Sequence, residues 1–268
     1  MIFKKLHWTL KRHPFLYVTR FRLLSKNSNQ AAIDSCCYNA LNKKSDIPIF
    51  YHAVNSEIFN TGKPESDLMV VKQLVIWLVA NSKVGPGLSE PSDKALETLL
   101  HGAGGVCSDM AQVFNNFCVI NDIQVREWGT TSAPFNRANG GHSFNEVYIE
   151  ELQKWVLVDP SWGVLFFNAT GRPLSVIEVY ESIRSGQSVV YDSFIPNQTI
   201  SWKQVDTNYL NPDIIPFLIC NYRNTIYDWY LKRARPLFPV FMIHFMVYVM
   251  GKSYHYKFPL DNYKKIFD

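Results

Sequence analysis

Two stretches decide how this 268-residue chain is read: GGVCSDMAQVFNNFCVINDIQVREWG at 104–129 and GGHSFNEVYIEELQKWVLVDPSWG at 140–163. In the first, the apolar positions Met110, Val113, Phe114, Phe117 and Cys118 step by three and one, the spacing of one buried helical face. The helix begins near Cys107, directly after Gly102-Ala103-Gly104-Gly105, where glycine permits a sharp turn that side chains obstruct. Cys107 lies three residues before Met110, so its thiol starts the same inward face. After Asn121 and Asp122 a β-type run from Ile123 to Gly129 is expected, then a polar loop ending in Asn139-Gly140-Gly141.

The second stretch reads as two strands, His142 to Ile149 and Trp155 to Asp159, joined by a short polar turn and stopped by Pro160. An even-length turn between antiparallel strands keeps even residues of the first beside odd residues of the second on one face. His142 and Asp159 are therefore expected to point to the same side. A thiol at a helix N-terminus is favoured as thiolate by the unpaired backbone N–H groups and the helix dipole, and those N–H groups can also receive an oxyanion. His142 can take the thiol proton and later pass it to a leaving group, and Asp159 can hold the imidazole by its other nitrogen. Cys107, His142 and Asp159 are thus the candidate catalytic residues. Cys118, eleven residues along the same helix, is read as core. His101 and Asp109 are read as capping or solvent-facing groups.

Working outward, Leu68 to Ala80 is apolar nearly all round and predicts a buried helix. Ser92 and Asp93 are expected to cap a short helix running to about His101, and Ser175 to Arg184 predicts another. The run 236–250, PLFPVFMIHFMVYVM, is too short to span a bilayer; a buried helix or strand is the preferred reading and a segment lying in the membrane interface the alternative.

With 47% hydrophobic and 19% charged residues, the composition excludes a disordered, collagen-like or coiled-coil chain. Residues 1–26 hold seven of the 27 Lys and Arg, interleaved with Trp8, Phe15, Tyr17 and Phe21, and the first acid is Asp34. The formal charge of +4 is therefore concentrated on this arm, which suits either an anionic surface or a packed first helix with solvated lysines. The five cysteines lack disulfide or zinc spacing, and no secretory h-region is visible, so a reduced, cytoplasmic protein is expected, with a position peripheral to the membrane as the alternative. The sequence lacks a phosphate-loop lysine and calcium-loop spacing, so no cofactor or metal is implied, and no specific nucleic acid is indicated.

From GGVC through the Ile-Gln-Val-Arg, His-Ser-Phe-Asn-Glu-Val and Trp-Val-Leu-Val-Asp-Pro motifs, residues 92–185 resemble the core of the transglutaminase-like superfamily, including its peptide N-glycanase and bacterial relatives. The resemblance implies an α+β, papain-like core in which a Cys-bearing helix packs on an antiparallel sheet bearing His and Asp. Largely helical additions are expected at both ends. It also implies thiol chemistry at an acyl or amide carbonyl of a peptide, protein or other amide-containing substrate, with Cys107, His142 and Asp159 matching nucleophile, base and orienting acid. The expected organisation is a basic aromatic arm at 1–30, a catalytic domain at 31–185 and a C-terminal extension at 186–268 packed on it. A hydrolase or amidase is preferred over a crosslinker, and a catalytically idle scaffold or peripheral membrane protein is the alternative. No upstream Gln or Trp stands out as a second oxyanion donor; Ser108 and Asn145 are the substitutes at hand.

Overall fold

The structure, a computed structural model, describes residues 21–87, 89–136, 138–196 and 200–267. The basic arm therefore lies outside the described residues up to position 20. Eight strands form one sheet: β1 (Ser25–Asn27), β2 (Val125–Ser132), β3 (Ser143–Ile149), β4 (Lys154–Asp159), β5 (Val164–Phe167), β6 (Val190–Ser193), β7 (Ile214–Cys220) and β8 (His255–Phe258). The helices are α1 (Gln30–Asp34), α2 (Ile49–Ile58), α3 (Asp67–Asn81), α4 (Ser92–His101), α5 (Cys107–Ile120), α6 (Val176–Arg184), α7 (Asn224–Ala234) and α8 (Val240–Val249), with a short helical stretch at 202–210. The strand order is β1-β8-β7-β2-β3-β4-β5-β6, antiparallel except for the β1–β8 edge pair. This is a mixed α+β fold, as expected.

The sheet buries both faces, and alternation along each strand divides its side chains between them. Val125, Val147, Val156 and Val158 face a helical layer in which α5 contributes Val113, Phe114, Phe117 and Cys118 against α2, α3 and α4. Trp128, Phe144, Leu157 and Phe166 face the other way, onto Ile33 of α1, Val176 and Val179 of α6, and Val205 and Tyr209. A third cluster lies over β7 and β8, where Phe217, Tyr256 and Phe258 pack on α7 and α8. Gly129 ends the first quoted stretch for a steric reason: a Cβ there would sit 2.5 Å from the Phe217 ring.

Several expectations hold in detail. Phe114, Phe117 and Cys118 are fully buried along α5, and Tyr148 pairs with Trp155 and Asn145 with Val158, so even residues of β3 do oppose odd residues of β4. Ser175 caps α6, accepting the Glu178 N–H while Glu178 accepts the Ser175 N–H, an arrangement worth about 1 kcal/mol.

Others change. β2 runs three residues beyond Gly129, because β7 pairs along it from Ile219 opposite Glu127 to Ile214 opposite Ser132. Ser92 does not cap α4 with its own side chain; Asp228 of α7 accepts both the Ser92 N–H and O–H, at 2.7 and 2.9 Å. The terminal additions, expected to be largely helical, also supply β1, β6, β7 and β8. α3 buries Val70, Val71, Leu74, Val75 and Leu78 but leaves Met69 exposed. The 236–250 run forms α8, which buries only Val240, Ile243 and Val247.

Candidate active site

The glycine turn before α5 is tightly enclosed. Gly104 has φ +80°, a left-handed conformation, and a Cβ on it would lie 2.3 Å from the Lys83 carbonyl oxygen. The Gly105 N–H donates to that oxygen at 2.9 Å and the Gly85 N–H donates to Gly105 O at 2.8 Å, pinning the turn to the segment after α3. Asp109 accepts the Val106 N–H at 3.0 Å, so it works as the helix cap that its position suggested. Cys107, half-buried, is then the first residue of α5, in the turn where backbone N–H groups have no partner within the helix.

Cys107 belongs to the helical layer on one side of the sheet, whereas His142 and Asp159 point to the other. They meet where β3 begins and β4 ends. His142 Nε2 lies 2.8 Å from Asp159 Oδ2, and the same ring hydrogen-bonds the Cys107 thiol, which also receives the Ser143 backbone N–H. The three sequence-predicted residues are thereby brought together.

Asp159 is completely buried and surrounded by donors, the complement a carboxylate needs. Besides His142, the Tyr209 hydroxyl donates to Oδ2 at 2.8 Å and the Ser161 N–H donates to Oδ1 at 2.9 Å. The imidazole is held in plane by Trp162, whose ring stacks on it at 4.3 Å and 5°, and Tyr209 meets it edge-on.

These contacts set the charge state. Burial works against a charged imidazole, but the Asp159 carboxylate beside it prevails and, with Cys107, raises His142 to about 10. Burial likewise raises the Cys107 thiol, yet the hydrogen bond and positive charge of His142 and the Ser143 N–H outweigh it, and its pKa falls below the ordinary value. Both shifts favour the thiolate–imidazolium form of the pair. Burial pushes Cys118 well above the ordinary thiol range.

Trp162 and Tyr209 were not anticipated. Trp162 sits in the quoted Asp-Pro-Ser-Trp-Gly run, so its closeness to Asp159 was available. Tyr209 lies 50 residues beyond Asp159 with no local pattern to mark it. Asn145 is not available to the reacting centre: its amide donates to Ala111 O and Asn115 Oδ1. Ser108, next to Cys107, is exposed, as is His101 at the end of α4. Among the described residues no group of three or more His, Cys, Asp or Glu is arranged to hold a metal ion.

Residues 53–160, which contain all three candidate residues, match the family described as the transglutaminase-like superfamily core, and this part of the chain is a transglutaminase-like superfamily domain. A solved chain from Cytophaga hutchinsonii, named a "Putative Cysteine Protease", is similar at 19% identity with a TM-score of 0.33, over 59% of this chain and 55% of that one. No curated protein matches the chain.

Proposed function

We propose that this protein is a cysteine-dependent acyl-transfer enzyme acting on an amide or acyl bond, with Cys107 as nucleophile, His142 as base and acid, and Asp159 as the group that orients and charges the imidazole. The observation that carries this reading is the single imidazole bonded on one side to a buried carboxylate and on the other to a thiol at a helix N-terminus. The Cys107 thiolate attacks the carbonyl carbon, and the carbonyl electron pair moves to oxygen, where the first-turn N–H groups of α5 can receive it. As the C–N or C–O bond breaks, His142 gives its proton to the leaving group, and an acyl-thioester remains on Cys107. Water, giving its proton to His142, then cleaves the thioester and releases the acid.

Hydrolysis is the reading preferred over crosslinking: Cys107 is partly exposed and Ser108 beside it is exposed, so the entrance to the site is open to solvent on this side. Amine transfer needs a site that holds the amine and excludes water. Intact-protein mass spectrometry on enzyme quenched during turnover of activated acyl or amide substrates tests the proposal. An acyl adduct mapping to Cys107, absent in Cys107→Ala and slow to form in His142→Ala, is the expected result. Turnover by Cys107→Ala at the wild-type rate would remove the nucleophile.

A further inference from the structure

A helix that is apolar all round belongs inside a protein or against lipid, because exposing it to water costs roughly 25 cal/mol per Å² of apolar surface. α8 is apolar all round except for His244 and the Tyr248 hydroxyl, yet it sits at the surface. Its buried positions are Val240, Ile243 and Val247, of which Ile243 and Val247 belong to the cluster over β7 and β8. The opposite stripe, Met242, Phe245, Met246 and Val249, follows the spacing of one helical face and is exposed, Phe245 at 57% and Val249 at 67%. Leu237, at 77%, just before α8, and Trp229 on α7 are exposed as well.

Basic residues flank this patch, and two of them carry acidic partners. Residues 229–260 contain five Lys and Arg and no Asp or Glu. Arg233 lies over the exposed Trp229 ring at 4.2 Å, and Lys252 is exposed just beyond α8. Lys232 and Arg235 are paired with Asp93 and Glu90. The acid-free N-terminal arm also joins the fold here: Phe21 packs on Phe217 and Tyr256, and Leu24 belongs to the cluster that supports α8.

We propose that α8 docks this protein on an anionic lipid surface, lying in the plane of the interface with its Met-Phe-Met-Val stripe among the acyl chains and its basic flanks at the headgroups. Ten residues make a helix about 15 Å long, suited to lying along a membrane and far short of crossing one. Among the described residues no helix is long and apolar enough to cross a membrane. A lipid surface fits better than a protein partner because the stripe carries no polar group to fix a register, while the positive rim matches anionic headgroups.

Sedimentation of the full-length protein with phosphatidylcholine vesicles, alone or doped with phosphatidylglycerol, tests this. Binding to the doped vesicles is expected, with weaker binding to phosphatidylcholine alone. High salt should weaken the anionic preference and leave a residual apolar component. Leu237→Asp with Phe245→Asp, both at exposed positions, should lower partitioning about tenfold or more with an unchanged thermal midpoint. Arg233→Glu with Lys252→Glu should lower binding to the doped vesicles about fivefold or more while disturbing no buried group. Failure to bind anionic vesicles, or binding that either pair leaves unchanged, overturns the proposal. So does a concentration-dependent dimer that the Asp pair abolishes in a protein that ignores lipid, which would assign the face to a second copy of the chain.

Discussion

Asp159→Asn removes one charge and almost no volume from the centre of the site. In the native protein Asp159 is the main favourable influence on the His142 imidazolium, overcoming burial to hold it at about 10 against an ordinary 6.5. The amide would present N–H₂ or oxygen where Oδ2 now accepts from both His142 and Tyr209. If N–H₂ takes that place, it can meet His142 Nε2 only when that nitrogen is unprotonated, which selects the neutral ring. Loss of the charge should lower His142 by roughly two to three units, or about 3–4 kcal/mol at 1.36 kcal/mol per unit. The thiolate then loses its imidazolium partner, and burial, which already pushes the Cys107 thiol up, is no longer outweighed. Alkylation of Cys107 at pH 6 should slow by roughly ten- to a hundredfold, and the whole pH–rate profile should move towards the alkaline range. Iodoacetamide labelling followed by peptide mass spectrometry across pH 5–9 measures this. Profiles for Asp159→Asn and wild type that superimpose would refute the claim that the carboxylate maintains the ion pair.

Three further outcomes follow from other contacts. Tyr209→Phe removes one of three donors to Asp159 and should cost about 1 kcal/mol, lowering kcat/KM by less than tenfold and less than Asp159→Asn does; an equal loss in both would mean that Tyr209 does more than support the carboxylate. In wild-type labelling at pH 6, Cys107 should react well ahead of Cys118, but Cys36 should compete, since the hydrogen bond from Cys220 and the nearby Lys257 ammonium outweigh burial and lower it to about 6; a map with Cys118 labelled as fast as Cys107 would contradict the charge assignment. Glu127, buried and held by Asn115, is pushed up to about 8, so the folded state keeps a proton that the unfolded chain releases above about 4.5, and stability should fall as pH rises between those values by up to about 1.4 kcal/mol per unit. Urea midpoints of Glu127→Gln should therefore gain on wild type steadily from pH 5 to pH 8, and parallel curves would show that Glu127 ionises normally.

What the sequence by itself determined is what local periodicity and short spacings can carry. The three-and-one spacing from Met110 to Cys118 required a helix buried on one side, the glycine run located its start, and the two-residue alternation around a short turn put His142 and Asp159 on one side of two neighbouring strands. These are consequences of chain geometry within a few tens of residues, and they brought all three candidate residues to one end of a sheet. Tertiary structure decided the rest. Tyr209 reaches Asp159 only because the 202–210 segment is folded against the sheet face carrying Phe144 and Leu157, and nothing near position 209 encodes that meeting. Asp228 caps α4 across 136 residues, in place of the side chains next to the helix. The apolar run at 236–250 gives the clearest contrast. Its composition calls for burial, but which side is covered depends on how much surface the rest of the fold can offer: only Val240, Ile243 and Val247 of α8 are buried, the last two in the cluster over β7, β8 and α7. Hydrophobicity states that a segment avoids water; only the packed fold shows what is there to shelter it.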